Sequence, residues 1–267
     1  MSDWLERTAA TIAGSIERAV FTEELARAPG WLQGLDPRAK LVACLTTVMA
    51  AGFLRSLTVL LALYAAVLAA AVASRTPLDL LVRRVWTGVP LFTAFVLFPS
   101  LFLGRPPYLA VHLSVPALWS AVIFVARVGT GVSAAVLLVL TTPWADLLRA
   151  LHALRVPPVF VLVLSMTYRY AFLLLHALTG RLEARRSRVV GATRGGEQRA
   201  WLAGSAGALL DRSFQLGADV YAAMLARGFT GEVRTLRRFR LRRADAWAVA
   251  GAALLAAAAL AAGTALP

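Results

Sequence analysis

Two short tracts set an arginine between small or apolar neighbours: Ser187-Arg188-Val189 and Ala226-Arg227-Gly228. A guanidinium is planar, permanently charged and able to donate several directed hydrogen bonds. Small neighbours let the end of a helix that carries it enter a groove closely. The chemistry on offer is docking, an arginine seated in a groove on a soluble partner. In the first tract Arg185 and Arg186 lie close by and compete with Arg188 for that role. In so arginine-rich a chain, general basic charge at a membrane face is the plainer account of both tracts.

Other chemistries are poorly supplied. A phosphate-binding G-x-x-x-x-G-K-[ST] loop needs a lysine, and the one lysine, Lys40, stands in another context. The histidines His112, His152 and His176 are far apart and lack Cys or carboxylate company. No serine sits in a G-x-S-x-G elbow. Cys44 is the lone cysteine, inside an apolar run, and reads as a small buried hydrophobe. The expectation is no catalytic residue, no metal site and no cofactor. Asp146 and His152 fall on neighbouring helical turns, the one pair that a membrane-embedded lipid or prenyl enzyme could use. That enzyme is a remote alternative, as is a basic membrane anchor. The apolar spans are read as free of Asp and Glu, against a proton- or cation-coupled pump acting alone. Arg127 is the one charge well inside a span; a functional role is set against simple snorkelling to an interface.

The elements that must position these arginines are apolar. The chain has 267 residues, 59% hydrophobic and 16% charged, with a mean hydropathy of +0.70. A soluble domain is about 45–50% apolar and about 25% charged. The excess points to an all-α polytopic membrane protein. Its net charge of +14 would suggest nucleic acid on a soluble protein. Here the charge lies beside hydrophobic segments, so the positive-inside pattern explains it and no nucleic-acid partner is expected.

Residues 1–34 read as an amphipathic cytoplasmic segment, with Leu5, Ile12, Ile16, Val20 and Leu25 at helical spacings and Pro29-Gly30 as its end. The membrane domain, 35–142, holds four spans at about 39–54, 57–73, 87–103 and 117–141. Asp36 caps the first and Pro37 suits its first turn. With the N-terminus inside, only Arg55 and Arg105 fall outside, whereas Arg38, Lys40, Arg75, Arg83, Arg84, Arg149 and Arg155 fall inside. Residues 143–243 form a cytoplasmic domain of long helices, and a last span runs over about 245–265.

The segment Val156 to Leu178 is long and apolar enough to cross. Crossing would put outside an arginine block, Gly180 to Arg243, that holds half of the basic residues. The segment is therefore read as a hydrophobic helix along or under the membrane face, with 181–190 as its basic continuation. Residues 198–228 make an amphipathic helix whose apolar face includes Leu202, Leu209, Leu210, Phe214, Tyr221 and Leu225.

Four stretches carry a family resemblance: Leu35-Asp36-Pro37-Arg38-Ala39-Lys40; Thr142-Pro143-Trp144-Ala145-Asp146-Leu147-Leu148-Arg149-Ala150-Leu151; Met166-Thr167-Tyr168-Arg169-Tyr170; and Met224-Leu225-Ala226-Arg227-Gly228-Phe229. In this order they resemble the transmembrane T component of energy-coupling factor (ECF) transporters, most closely its CbiQ-type cobalt-transport branch. The resemblance covers roughly residues 32–265. It implies about five transmembrane helices plus a cytoplasmic coupling domain, in the inner membrane of a prokaryote. It implies a non-catalytic subunit of an ATP-driven importer. Two X-Arg-X signatures would fit grooves on two ATP-binding cassette ATPase subunits. Arg227, flanked by Ala226 and Gly228, maps onto the second. Arg188, flanked by Ser187 and Val189 in place of Ala and Gly, maps best onto the first, with Arg185 and Arg186 as rivals. A third partner is implied, a CbiM-like substrate-binding S component that moves in the bilayer as the ATPases close and open. The likeness favours Co²⁺ as cargo, then Ni²⁺, then a vitamin.

Overall fold

The computed structural model describes residues 14, 23–28, 30–102, 115–189, 195–231 and 243–265. Among these there is no strand. After a helical turn at 23–27 come α1 (Pro37–Phe53), α2 (Leu57–Ala73), α3 (Leu78–Phe102) and α4 (Val115–Thr141), then α5 (Trp144–Ala153), α6 (Pro158–Arg188), α7 (Gly195–Ala226) and α8 (Arg243–Ala265). The expected amphipathic pattern before residue 23, the turn at Gly104 to Pro107, the short stretch 108–114, the linker at 191–194 and most of the basic loop 232–243 lie outside the described residues.

The chain divides into two compact units, Glu23–Ala150 with Phe239–Pro267, and Met1–Thr22 with Leu151–Arg238. In the first, α4 packs against α1, α2 and α3, and α8 lies along α1 and α2. Its core has two clusters. Val67, Ala71, Leu81, Val85, Val89, Leu137 and Leu140 join α2, α3 and α4. Ala50, Ala51, Leu54, Leu60, Leu63 and Ala256 join α1, α2 and α8. Ala50 and Ala51 of α1 and Ala256 of α8 are small, which lets the two helices approach closely.

Among the described residues two helices, Trp119–Thr141 and Pro158–Arg188, are long and apolar enough to cross a membrane, and Leu57–Ala73 is a shorter apolar helix. α3 starts at Leu78, well before the expected span at 87–103, because the preceding Pro77 ends the extended link and Asp79 sits favourably in the first turn. Arg83, Arg84 and Trp86 thus belong to the helix. Trp86 donates to the Tyr64 hydroxyl at 2.9 Å, tying α3 to α2.

The turn at 30–34 seats on the end of α2. Ser74 Oγ donates to Gln33 Oε1 at 2.6 Å and Gln33 Nε2 donates to the Ser74 carbonyl at 3.3 Å. Gly30 is required here, since a Cβ would fall 2.6 Å from the Ser74 carbonyl oxygen.

The second unit is built on α6 and α7, which pack on each other. α6 runs unbroken for 31 residues, from the apolar segment into the basic tract. On α7 the expected apolar face is outward: Phe214 is 77% exposed, and Leu210, Tyr221 and Leu225 are exposed too. Gln215 donates to Asp211 across one turn at 2.9 Å.

Candidate functional site

Both arginine tracts close a long helix, by different means. At the end of α7 the Phe229 N–H donates to the Met224 carbonyl at 3.0 Å and the Gly228 N–H to the Leu225 carbonyl at 2.9 Å. This is the Schellman cap, and its left-handed position falls on Gly228, with φ +80°. Ala226 is the last helical residue, and Arg227 stands on the cap itself, exposed. The Ala-Arg-Gly tract is thus a helix stop that holds a cation at the negative end of the helix dipole.

The first tract has no glycine and no such cap. α6 ends at Arg188 and Val189 turns extended (φ −92°, ψ 115°), its N–H donating to the Arg185 carbonyl at 3.0 Å. Ser187 Oγ donates back to the Glu183 carbonyl at 3.1 Å. The rivals separate here. Arg185 is half-buried, its guanidinium 4.4 Å from the Trp201 ring centroid on α7, whereas Arg186 and Arg188 are exposed. Arg181 bridges the same helices, donating to the Ser205 carbonyl at 3.3 Å and the Ala208 carbonyl at 3.5 Å.

A second constellation lies at one end of the first unit, and only part of it was expected. Asp36 caps α1, its Oδ1 accepting from the Arg38 N–H at 3.0 Å. The Asp36 N–H in turn donates to Asp245 Oδ1, in the first turn of α8, at 2.8 Å. Lys40, expected on the cytoplasmic side, is buried within the protein and donates to the Thr141 carbonyl at 2.8 Å. Thr141 ends α4, so Lys40 serves a carbonyl that the helix leaves without a partner. Asp36 and Asp245 are both within electrostatic reach of Lys40. Asp245, 2% exposed, is the residue that sequence reasoning passed over. It is also the exception to the expectation of carboxylate-free spans: at the edge of the expected last span, the buried carboxylate has the Asp36 N–H as a donor and Lys40 nearby.

Arg127 has the same job at the other end of α1. Its Nη2 donates at 2.6 Å to the carbonyl of Leu54, the cap residue of α1. Asp146 is paired with Arg149 on its own helix. Among the described residues no group of His, Cys, Asp and Glu could hold a metal ion.

The model of the family described as "CbiQ: Cobalt transport protein" matches residues 29–236. The chain belongs to this family. An uncharacterized protein of Methanocaldococcus jannaschii is 31% identical over 251 residues, 90% of this chain and 85% of that protein. The cobalt transport protein CbiQ of Rhodobacter capsulatus is 36% identical over 99 residues, 36% of this chain and 39% of that protein. The matched CbiQ span takes in both arginine tracts, the Asp36–Lys40 cap and Arg127.

Proposed function

We propose that the chain is the T component of an ECF-type importer for cobalt. In this role it couples ATP hydrolysis by two partner ATPase subunits to movement of a substrate-binding S component, and performs no catalysis itself. It lies in the inner membrane of a prokaryote, crosses it about five times and keeps its N-terminus and the arginine block cytoplasmic. Arg227, between Ala226 and Gly228, is the principal docking arginine. Arg188, between Ser187 and Val189, is the second.

The observation that carries this reading is the end of α7. Arg227 stands exposed on a glycine-capped helix terminus, a rigid mount for a cation that must seat in a groove and transmit force. The outward apolar face of α7, from Leu210 through Phe214 to Leu225, supports a partner against the same helix. With Arg185 engaged on Trp201, the exposed Arg186 and Arg188 are the better placed of the three candidates of the first tract, and the likeness of Ser187-Arg188-Val189 to the signature favours Arg188. Membership of the CbiQ family supports cobalt as cargo.

Affinity purification of the tagged chain from its native membrane tests this. The expected result is recovery of two ATPase chains and one small membrane protein, with cobalt in the latter by metal analysis. A chain recovered alone, or with ATP hydrolysis of its own, would overturn it.

A further inference from the structure

The end of α6 and the start of α7 enclose a cleft of about 700 Å³. Arg181, Arg185 and Arg188 line it from α6, and Trp201, Ser205 and Glu197 from α7. The arginines fall at i, i+4 and i+7, on one face of the helix. Three guanidinium groups oppose one carboxylate there, so the cleft is net cationic. The Arg185 guanidinium sits over the Trp201 indole, 4.4 Å from the ring centroid, and its buried Nε has no hydrogen-bond partner. A buried, unsatisfied donor on a charged group is costly unless an acceptor meets it. Arg181 is held by two carbonyls of α7, which fixes the cleft's width.

The segment leading into this cleft identifies the acceptor. α6 is apolar enough to enter a membrane, and none of its most apolar stretch is buried within the protein. Its basic end follows without a break. With that helix lying along the inner face of the bilayer, as the proposed topology has it, the arginines come to headgroup level, where Trp is also at home. We propose that this cleft binds the phosphate group of an anionic membrane phospholipid. Arg185 and Arg188 donate to the phosphate oxygens, with geometry suited to the fork of a guanidinium. The acyl chains run along the apolar face of α6, and Trp201 fixes the Arg185 plane from behind. The site would tie the basic end of α6 to the inner leaflet; it is independent of Arg227 and shares Arg188 with the first docking tract.

The full-length chain, purified in a neutral detergent, is titrated with short-chain phosphatidylglycerol, short-chain phosphatidylcholine and inorganic phosphate, with bound lipid read by native mass spectrometry. Saturable phosphatidylglycerol binding is expected, with phosphatidylcholine and free phosphate much weaker. Arg185→Gln and Arg188→Gln should each weaken it roughly tenfold, whereas Arg212→Gln, on α7 away from the cleft, should leave it unchanged. Arg188 is exposed, so its variant carries the test should Arg185→Gln disturb the helix pair. Unchanged phosphatidylglycerol binding in both cleft variants would overturn the proposal. Equal binding of phosphatidylcholine would overturn it too, as would displacement of the lipid by millimolar inorganic phosphate, which would assign the cleft to a soluble anion. Loss of a protein partner from both variants, with lipid binding intact, would assign it to that partner instead.

Discussion

At the scale of single residues, the position of Arg227 depends on its neighbour. Gly228 takes φ +80°, and nothing lies within 4 Å of where a Cβ would be, so the constraint is conformational and not steric. Gly228→Ala should cost the α7 terminus about 1 kcal/mol, from forcing an L-residue into the left-handed region. The expected readout is faster amide exchange at residues 225–229 and reduced transport with normal membrane insertion. Unchanged exchange there would show that the cap does not need glycine. Two other helix ends close the same way without announcing it. Arg75 (φ 54°) and Arg155 (φ 67°) hold the left-handed position of matching caps on α2 and α5. Glycine at 228 is a legible helix stop. An arginine in that conformation is not, because the cap geometry and not the residue type imposes it.

At the scale of helices, two cations lock α1 to α4. Lys40 reaches the last carbonyl of α4, and Arg127 reaches the cap carbonyl of α1. From Lys40 to Leu54 is 14 positions, and from Arg127 to Thr141 is also 14. Equal spacing on both chains means that the helices run antiparallel in matched register, with the two locks about 21 Å apart. Each lock satisfies a helix-end carbonyl with a charged donor, which removes the cost of leaving that carbonyl bare in an apolar setting. Lys40→Met should destabilise the bundle by about 3 kcal/mol, because Asp36 and Asp245 then lose their counter-charge. Arg127→Met should cost about 2 kcal/mol. At this distance the two should add within about 0.5 kcal/mol in a double-mutant cycle read by detergent-to-denaturant unfolding. Strong coupling between them would contradict two independent locks.

The cap on α1 was legible because Asp36, Pro37 and Arg38 are adjacent in the chain. Its partner Asp245 was not, since it lies 209 residues away. Arg127 stood out as an intramembrane charge, but nothing local names the Leu54 carbonyl as its acceptor. Helix positions followed hydropathy closely for α1, α2, α4 and α8, whose ends coincide with runs of apolar residues. α3 departed because its first two turns carry Asp79, Arg83 and Arg84 and are helical all the same.

For the molecule as a whole, the proposed topology puts the arginine block on the cytoplasmic side. Cys44 is the single thiol and is half-buried, so a Cys44→Ser chain provides a silent background. In that background Ser187→Cys should react with a membrane-impermeant maleimide only when the cytoplasmic face is open to the reagent. Labelling of intact cells from outside would either reverse the orientation or place α6 across the bilayer. The chain divides into an apolar bundle and a helix pair with outward apolar and basic faces, and the proposed role gives those faces to partner subunits. Charge reversal at the end of α7 measures that most directly. In membranes carrying the whole assembly, Arg227→Glu should release the ATPase subunits and abolish ATP-dependent uptake of radioactive cobalt, with the chain still inserted at normal level. Cobalt uptake and ATPase association equal to those of the unaltered chain would contradict the account.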